Sequence, residues 1–210
     1  MKKAMYLALE GGVCSGKSTL SYLLSRQKHI GRVPEYFELI TEQQQDELLA
    51  LDQQSQLQFL LQLERERCST HFMGIRPRVA DRSILTMIAT QYALYHTGND
   101  HALNELFIIQ QDAHLIPNII VFLDIPHEER IARWCVRDPH AKRHFFTDES
   151  FNHWFKIFFE VLSGVVPVYF TTTYQTDSGR ICQKIAEQRP HSTTLTFNEI
   201  VQRTCIDIYP

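Results

Sequence analysis

This 210-residue chain lacks the parts of a disulfide scaffold, a membrane span or a nucleic-acid-coating surface. Its five cysteines, Cys14, Cys68, Cys135, Cys182 and Cys205, are odd in number and scattered, with no C-x-x-C pair. A reduced, cytoplasmic protein is the simplest expectation. The ten histidines form no H-E-x-x-H, and Cys68 with His71 is too little for a zinc site. No apolar run approaches the roughly 18 residues that a span requires, so no membrane role is expected. A formal charge of −3 argues against a general nucleic-acid-binding role and is compatible with a small charged ligand. With 44% hydrophobic and 21% charged residues, disordered and fibrous classes have no support. The length suits one domain over residues 1–210 with a substantial core.

The start, MKKAMYLALEGGVCSGKST, admits two readings. Lys2, Lys3 and a short apolar run suggest a secretory leader, but the run from Ala4 ends at Glu10 and a double glycine. That falls short of the roughly 7 to 15 apolar residues of a leader core. The other reading is a strand, a glycine loop and a helix. Gly11 to Ser18 match G-x-x-x-x-G-K-[ST], with an apolar strand candidate at Met5 to Leu9 before it and helically spaced Leu20, Leu23 and Leu24 after it. Such a loop points successive backbone N–H groups at an anion, and the following helix adds its partial positive charge. The expected nucleotide cradle is therefore Gly11, Gly12, Val13, Cys14, Ser15, Gly16, Lys17, Ser18 and Thr19, with Lys17 on the β- and γ-phosphates and Ser18 on Mg²⁺.

Further along, the chain alternates strands and helices. RVPEYFELI gives a strand ending near Val33. The Gln- and Leu-rich tract from Thr41 to Ser69 reads as one or two helices. RPRVADRS is a strand with a charged tip, ILTMIATQYALYHTG a helix closed by Gly98, NELFIIQQDAHLI another helix and NIIVFLDI a buried strand. A basic stretch, an aromatic amphipathic helix, a final strand in VVPVYFTTT and the tail segments RICQKIAEQ and TFNEIVQR complete the pass. The pattern predicts an α/β fold with a five-stranded parallel sheet flanked by helices on both faces. The aromatic helix around Trp154, Phe155, Phe158 and Phe159 either covers the sheet or faces a second copy in a homodimer; a core role is the better expectation.

Three further pieces bear on chemistry. Asp81 and Arg82 stand at the tip of a central strand, where the ligand crevice of an open α/β sheet lies. There they either meet Mg²⁺ and a transferring phosphoryl group or form a surface ion pair. Glu35 is either a carboxylate that orients an acceptor hydroxyl or an exposed loop acid. Arg130, Arg133 and Arg137 share one helical face and lead into Lys142 and Arg143, a solvated basic face or a lid over residues 130–146. Neither N-K-x-D nor a D-x-x-G switch is present, which argues against a regulatory GTPase. A motor or AAA-type ATPase should end a hydrophobic run in Asp-Glu, and IIVFLD followed by isoleucine is a poor candidate.

In this order the pieces resemble the deoxyribonucleoside kinase and thymidylate kinase group of P-loop phosphotransferases, from LEGGVCSGKST to VYFTTT. The resemblance implies ATP and Mg²⁺ as cofactors and a nucleoside-like acceptor. It makes Glu35 the acceptor-activating carboxylate, Asp81 a magnesium partner, and Arg82 with the lid arginines the charge stabilisers. QFLLQLERER is similar to the nucleoside-kinase helix in which a glutamine reads the base and an arginine seven residues later stands near the substrate, here Gln58 and Arg65. PEYF and DRSILTMIATQYA also look like the nicotinamide riboside kinase-related ATPases. A nucleoside monophosphate kinase and a non-enzymatic nucleotide-binding regulator are the remaining alternatives.

Overall fold

The computed structural model describes residues 5–26, 30–71, 76–110, 114–137, 144–172, 179, 196–205 and 207. Its strands are β1 (Tyr6–Glu10), β2 (Gly31–Val33), β3 (Arg78–Asp81), β4 (Ile119–Leu123) and β5 (Val168–Thr171). They form one parallel sheet in the order β2-β3-β1-β4-β5, with Ala8 of β1 opposite Ala80 on one side and Ile120 on the other. Every residue of β1 and β4 is buried, as continuous apolar runs require when helices cover both faces. The expected five-stranded parallel sheet is thus the one observed.

The helices are α1 (Lys17–Ser25), α2 (Glu42–Ala50), α3 (Gln53–His71), α4 (Ile84–His96), α5 (Ala102–Gln110), α6 (His127–Arg137), α7 (Glu149–Leu162) and α8 (Phe197–Thr204). Strand alternation divides the core. Leu7, Leu9, Val79, Val121 and Leu123 meet Leu20 and Leu24 of α1, whereas Ile120 and Phe122 face the larger core built from α3, α4, α5, α7 and α8.

The glutamine-rich tract is two helices because side chains restart it. Thr41 closes a capping box with Gln44 at the head of α2, and Leu51 then leaves helical geometry. Asp52 accepts from the Ser55 backbone N–H at 2.9 Å where α3 begins. In α7, Phe151, Phe155, Phe158, Phe159 and Leu162 form one buried stripe, so this helix covers the sheet of its own chain. Trp154 stacks on His96 with ring centroids 4.0 Å apart. Gly98 takes a φ of +94° just beyond α4, the left-handed cap that its position promised. The RICQKIAEQ segment lies outside the described residues, whereas Thr196 and Glu199 form a capping box at the head of α8. Among the described residues, no helix is long and apolar enough to cross a membrane.

Candidate active site

β1 ends one residue later than its apolar run, at Glu10, and the chain then turns sharply. Gly11 (φ +134°), Cys14 (φ +58°) and Gly16 (φ +96°) take left-handed conformations, which fold the loop back toward the N-terminus of α1. A side chain on Gly12 would collide with the Arg130 guanidinium, so this glycine is set by close approach. Lys17 is buried and donates from Nζ to Gly11 O (3.0 Å), Gly12 O (2.7 Å) and Ser15 Oγ (3.2 Å). Burial, reinforced by the positive Arg82, pushes its pKa down to about 7. Ser18 and Thr19 are exposed at the start of α1 and line the loop cavity.

Glu10, which in the sequence only interrupts the leader-like run, anchors the loop. Its carboxylate accepts from the Ser83 backbone N–H (2.9 Å), Ser83 Oγ (2.6 Å) and Thr86 Oγ1, tying the end of β1 to the head of α4. Burial raises its pKa, and the two hydroxyl donors pull the other way. Ser83 in turn caps α4 by accepting from Leu85 N.

Asp81 closes β3 fully buried, and neither carboxylate oxygen has a hydrogen-bond partner among the described residues. Asp81 is among the residues that line the loop cavity. An acid in that condition fits a divalent cation, for which Ser18 and Asp81 are the oxygen donors at hand. The same two oxygens exclude the reading of Asp81 as half of a surface ion pair. Next to it, Arg82 takes a φ of +69° and places Nε 3.3 Å from Glu35 Oε1. Burial raises the Glu35 pKa against the opposing charge of Arg82. Glu35 also caps the short 3-10 turn Tyr36–Glu38 by accepting from Phe37 N. It is a held residue rather than an exposed loop acid.

What holds these tips is Arg67, two residues past the Arg65 that the family spacing picks out. Its guanidinium donates to Pro34 O (3.1 Å), Asp81 O (3.2 Å) and Arg82 O (3.1 Å), and pairs with Glu64 at 2.7 Å, both side chains being about fully buried. The signal lay in the spacing: Leu57, Leu61, Glu64 and Arg67 continue one buried face of α3. Arg67→Leu leaves the Glu64 charge buried and unpaired and frees three carbonyls. It should destabilise the fold by about 3–5 kcal/mol, read as a lowered urea midpoint.

Gln58 and Arg65, seven residues apart, also share a face of α3, but that face is exposed. Neither is among the residues that line the cavities described here. Arg130 is buried beneath the loop, donating to Ile125 O (3.1 Å) and Asn152 Oδ1 (2.9 Å), and is not among the residues that line the loop cavity. Arg133 and Arg137 do line the loop cavity. Arg133 reaches Cys14 O at 3.2 Å, and Arg137 stacks on Trp134, another lining residue that sequence alone did not single out. Lys142 and Arg143 lie outside the described residues.

Two cavities meet at this point. One, of about 720 Å³, runs along Val13 to Thr19, Asp81 and the α6 arginines. The other, of about 380 Å³, lies between α3, α4 and the aromatic turn Phe145–Thr147, within the size range of small-molecule sites. Glu35, Phe37, Leu49, Arg82, His144 and Phe146 line both.

A parallel sheet of this order, a glycine nest before α1 and a buried lysine at its head define a P-loop phosphate-binding α/β protein. A family profile described as an AAA domain matches residues 7–157, and the chain belongs to that family. The family bears the AAA label although the chain lacks the expected Asp-Glu ending; Asp124, which ends the run, pairs with Lys156 at 2.8 Å. No curated protein matches the sequence. Among solved structures, deoxyadenosine kinase from M. mycoides with bound dCTP superposes at a TM-score of 0.69 and 17% identity, over 88% of this chain and 100% of that one. Thymidylate kinase from Ehrlichia chaffeensis gives 0.59 at 19% identity, over 88% and 99%. Thymidylate kinase from Candida albicans gives 0.58 at 16% identity, over 90% and 94%. At these identities the likeness is one of fold, and it matches the group that the motifs resemble.

Proposed function

We propose that the chain transfers the γ-phosphoryl group of ATP to a hydroxyl of a nucleoside-like molecule, with a deoxyribonucleoside as the first candidate. The observation that carries this reading is the seam between the two cavities. A phosphate loop opens on one side, a largely apolar pocket on the other, and a carboxylate paired with an arginine stands between them. A regulator that only senses nucleotide needs no second pocket there. A neutral acceptor suits the pocket better than a monophosphate. Among its described lining residues the one arginine or lysine is Arg82, already paired with Glu35, and a phosphate would bring about two negative charges into it.

In this reading the loop N–H groups and Lys17 hold the β- and γ-phosphates, and Ser18 with Asp81 would hold magnesium. A magnesium ion held there would supply positive charge against the phosphates. Glu35 accepts the proton of the acceptor hydroxyl or orients it, while Arg82, Arg133 and Arg137 offset charge on the transferring group. Most of the barrier reduction would come from alignment and fixed charge. The reading is tested by screening nucleosides, nucleoside monophosphates and nicotinamide riboside for ATP-dependent ADP release. Turnover stimulated by a nucleoside is expected; none by any acceptor would favour the regulator.

Lys17 adds a test independent of turnover. Its pKa of about 7 means that the side chain is largely neutral at pH 8, and phosphates drawn against it restore its charge. Binding the magnesium complex of a non-hydrolysable ATP analogue should therefore take up close to one proton per site at pH 8 and little at pH 6. Calorimetry in buffers of different ionisation enthalpy reads this directly. Equal uptake at both values would remove Lys17 from the phosphate contact.

A further inference from the structure

The apolar cavity carries one group that the proposed chemistry does not use. Gln91, on α4, lines it and is 5% exposed, yet its amide oxygen has no hydrogen-bond partner among the described residues. The other uncharged polar side chains at the cavity wall are engaged. Gln53 donates to Glu105 and accepts from Asn99, Gln56 donates to Leu51 O, Thr86 donates to Glu10, and Thr90 donates to Thr86 O. A buried amide oxygen without a partner is unfavourable, and native structures retain one where something else completes it.

We infer that Gln91 determines acceptor specificity by pairing its amide with the edge of a flat ring that carries a hydrogen-bond donor beside an acceptor. An amide presents one donor and one acceptor side by side and exchanges them by a half turn, so it matches an N–H next to a carbonyl or an amino group next to a ring nitrogen. The aliphatic side chains of α3 and α4 supply contact for the ring faces, and Glu35 lines the same cavity. This deepens the proposed function and rests on it for the identity of the ligand as the acceptor. It also moves base reading from the exposed Gln58 to a helix on the opposite wall.

The test is binding, without ATP, of nucleosides in matched pairs: thymidine with N3-methylthymidine, and deoxyadenosine with N6,N6-dimethyldeoxyadenosine. Wild-type protein should bind at least one intact member roughly ten- to hundredfold more tightly than its methylated partner, and Gln91→Leu should abolish that preference. A preference that survives in Gln91→Leu, or no preference in the wild type, overturns the proposal. The melting temperature of the unliganded variant should be unchanged or higher, because leucine fills similar space without an unpartnered amide. A large fall would show that the amide is held by the fold and would overturn the proposal as well. A protein that shows the binding contrast but releases no ADP with ATP and nucleoside keeps this role for Gln91 and loses the kinase reading. One that turns over without the contrast loses only the role of Gln91.

Discussion

Lys17→Met is expected to lower ATP-dependent phosphoryl transfer by about a thousandfold while the protein remains folded. The rate effect follows from losing the one buried ammonium aimed at the phosphate site, where fixed charge acts in a medium far less screening than water. The folding effect runs the other way. Lys17 sits against two carbonyls and a hydroxyl with no carboxylate bonded to it, and burial depresses its pKa to about 7. A cation whose pKa is lower folded than unfolded costs stability below the folded value, and the cost fades as pH climbs toward the ordinary lysine range. Methionine keeps most of the packing volume and removes the charge. The variant should therefore melt at or above the wild-type temperature below pH 7, with the gap closing toward pH 10. Transfer within tenfold of wild type would exclude the ammonium from the chemistry. A variant that melts far lower would mean that the three acceptors depend on it.

Glu35→Gln should reduce turnover by about 10²- to 10⁴-fold with ATP affinity altered only a few-fold. Glutamine keeps an oxygen for Phe37 N and so preserves the turn at Tyr36–Glu38, but it cannot take a proton. The pH profile carries the sharper signature. Because burial raises the Glu35 pKa, the charged, competent form should be lost on the acid side at a pH above the usual carboxylate range. Wild-type kcat should rise with pH through that limb, and the variant should lack it. An unchanged rate would pass the proton-accepting role to another group, and an unchanged acid limb would show that Glu35 does not set it.

The sequence revealed what depends on local pattern. β1, the glycine loop and the head of α1 were legible because turn chemistry, period and motif agree within twenty residues. Asp81 and Arg82 were legible as a strand tip beside a crevice. What was not legible depends on which face of a helix turns inward. Gln58 and Arg65 satisfied a family spacing, and Arg67 lies two residues past Arg65, but only Arg67 faces the strand tips. The arginines of α6 shared a predicted face, yet Arg130 is fixed under Gly12 while Arg133 and Arg137 reach the cavity. Glu10 read as a leader breaker, and its partners at Ser83 and Thr86 stand more than seventy residues away. No local window holds that pairing.

The common wall of the two cavities sets a thermodynamic condition on whatever fills them. Six residues serve both sides, so a molecule in either compartment would touch side chains that also wall the other. Occupancies joined in this way obey linkage: the factor by which the first ligand changes the affinity of the second equals the factor in the opposite order. Arg82 makes the sign concrete. Phosphates that draw it from Glu35 leave a freer carboxylate facing the second compartment, which favours a hydroxyl donor there. The hydroxyl, by engaging Glu35, releases Arg82 toward the phosphates. The two ligands would then bind as mutual activators, and the half-filled states would be the scarce ones.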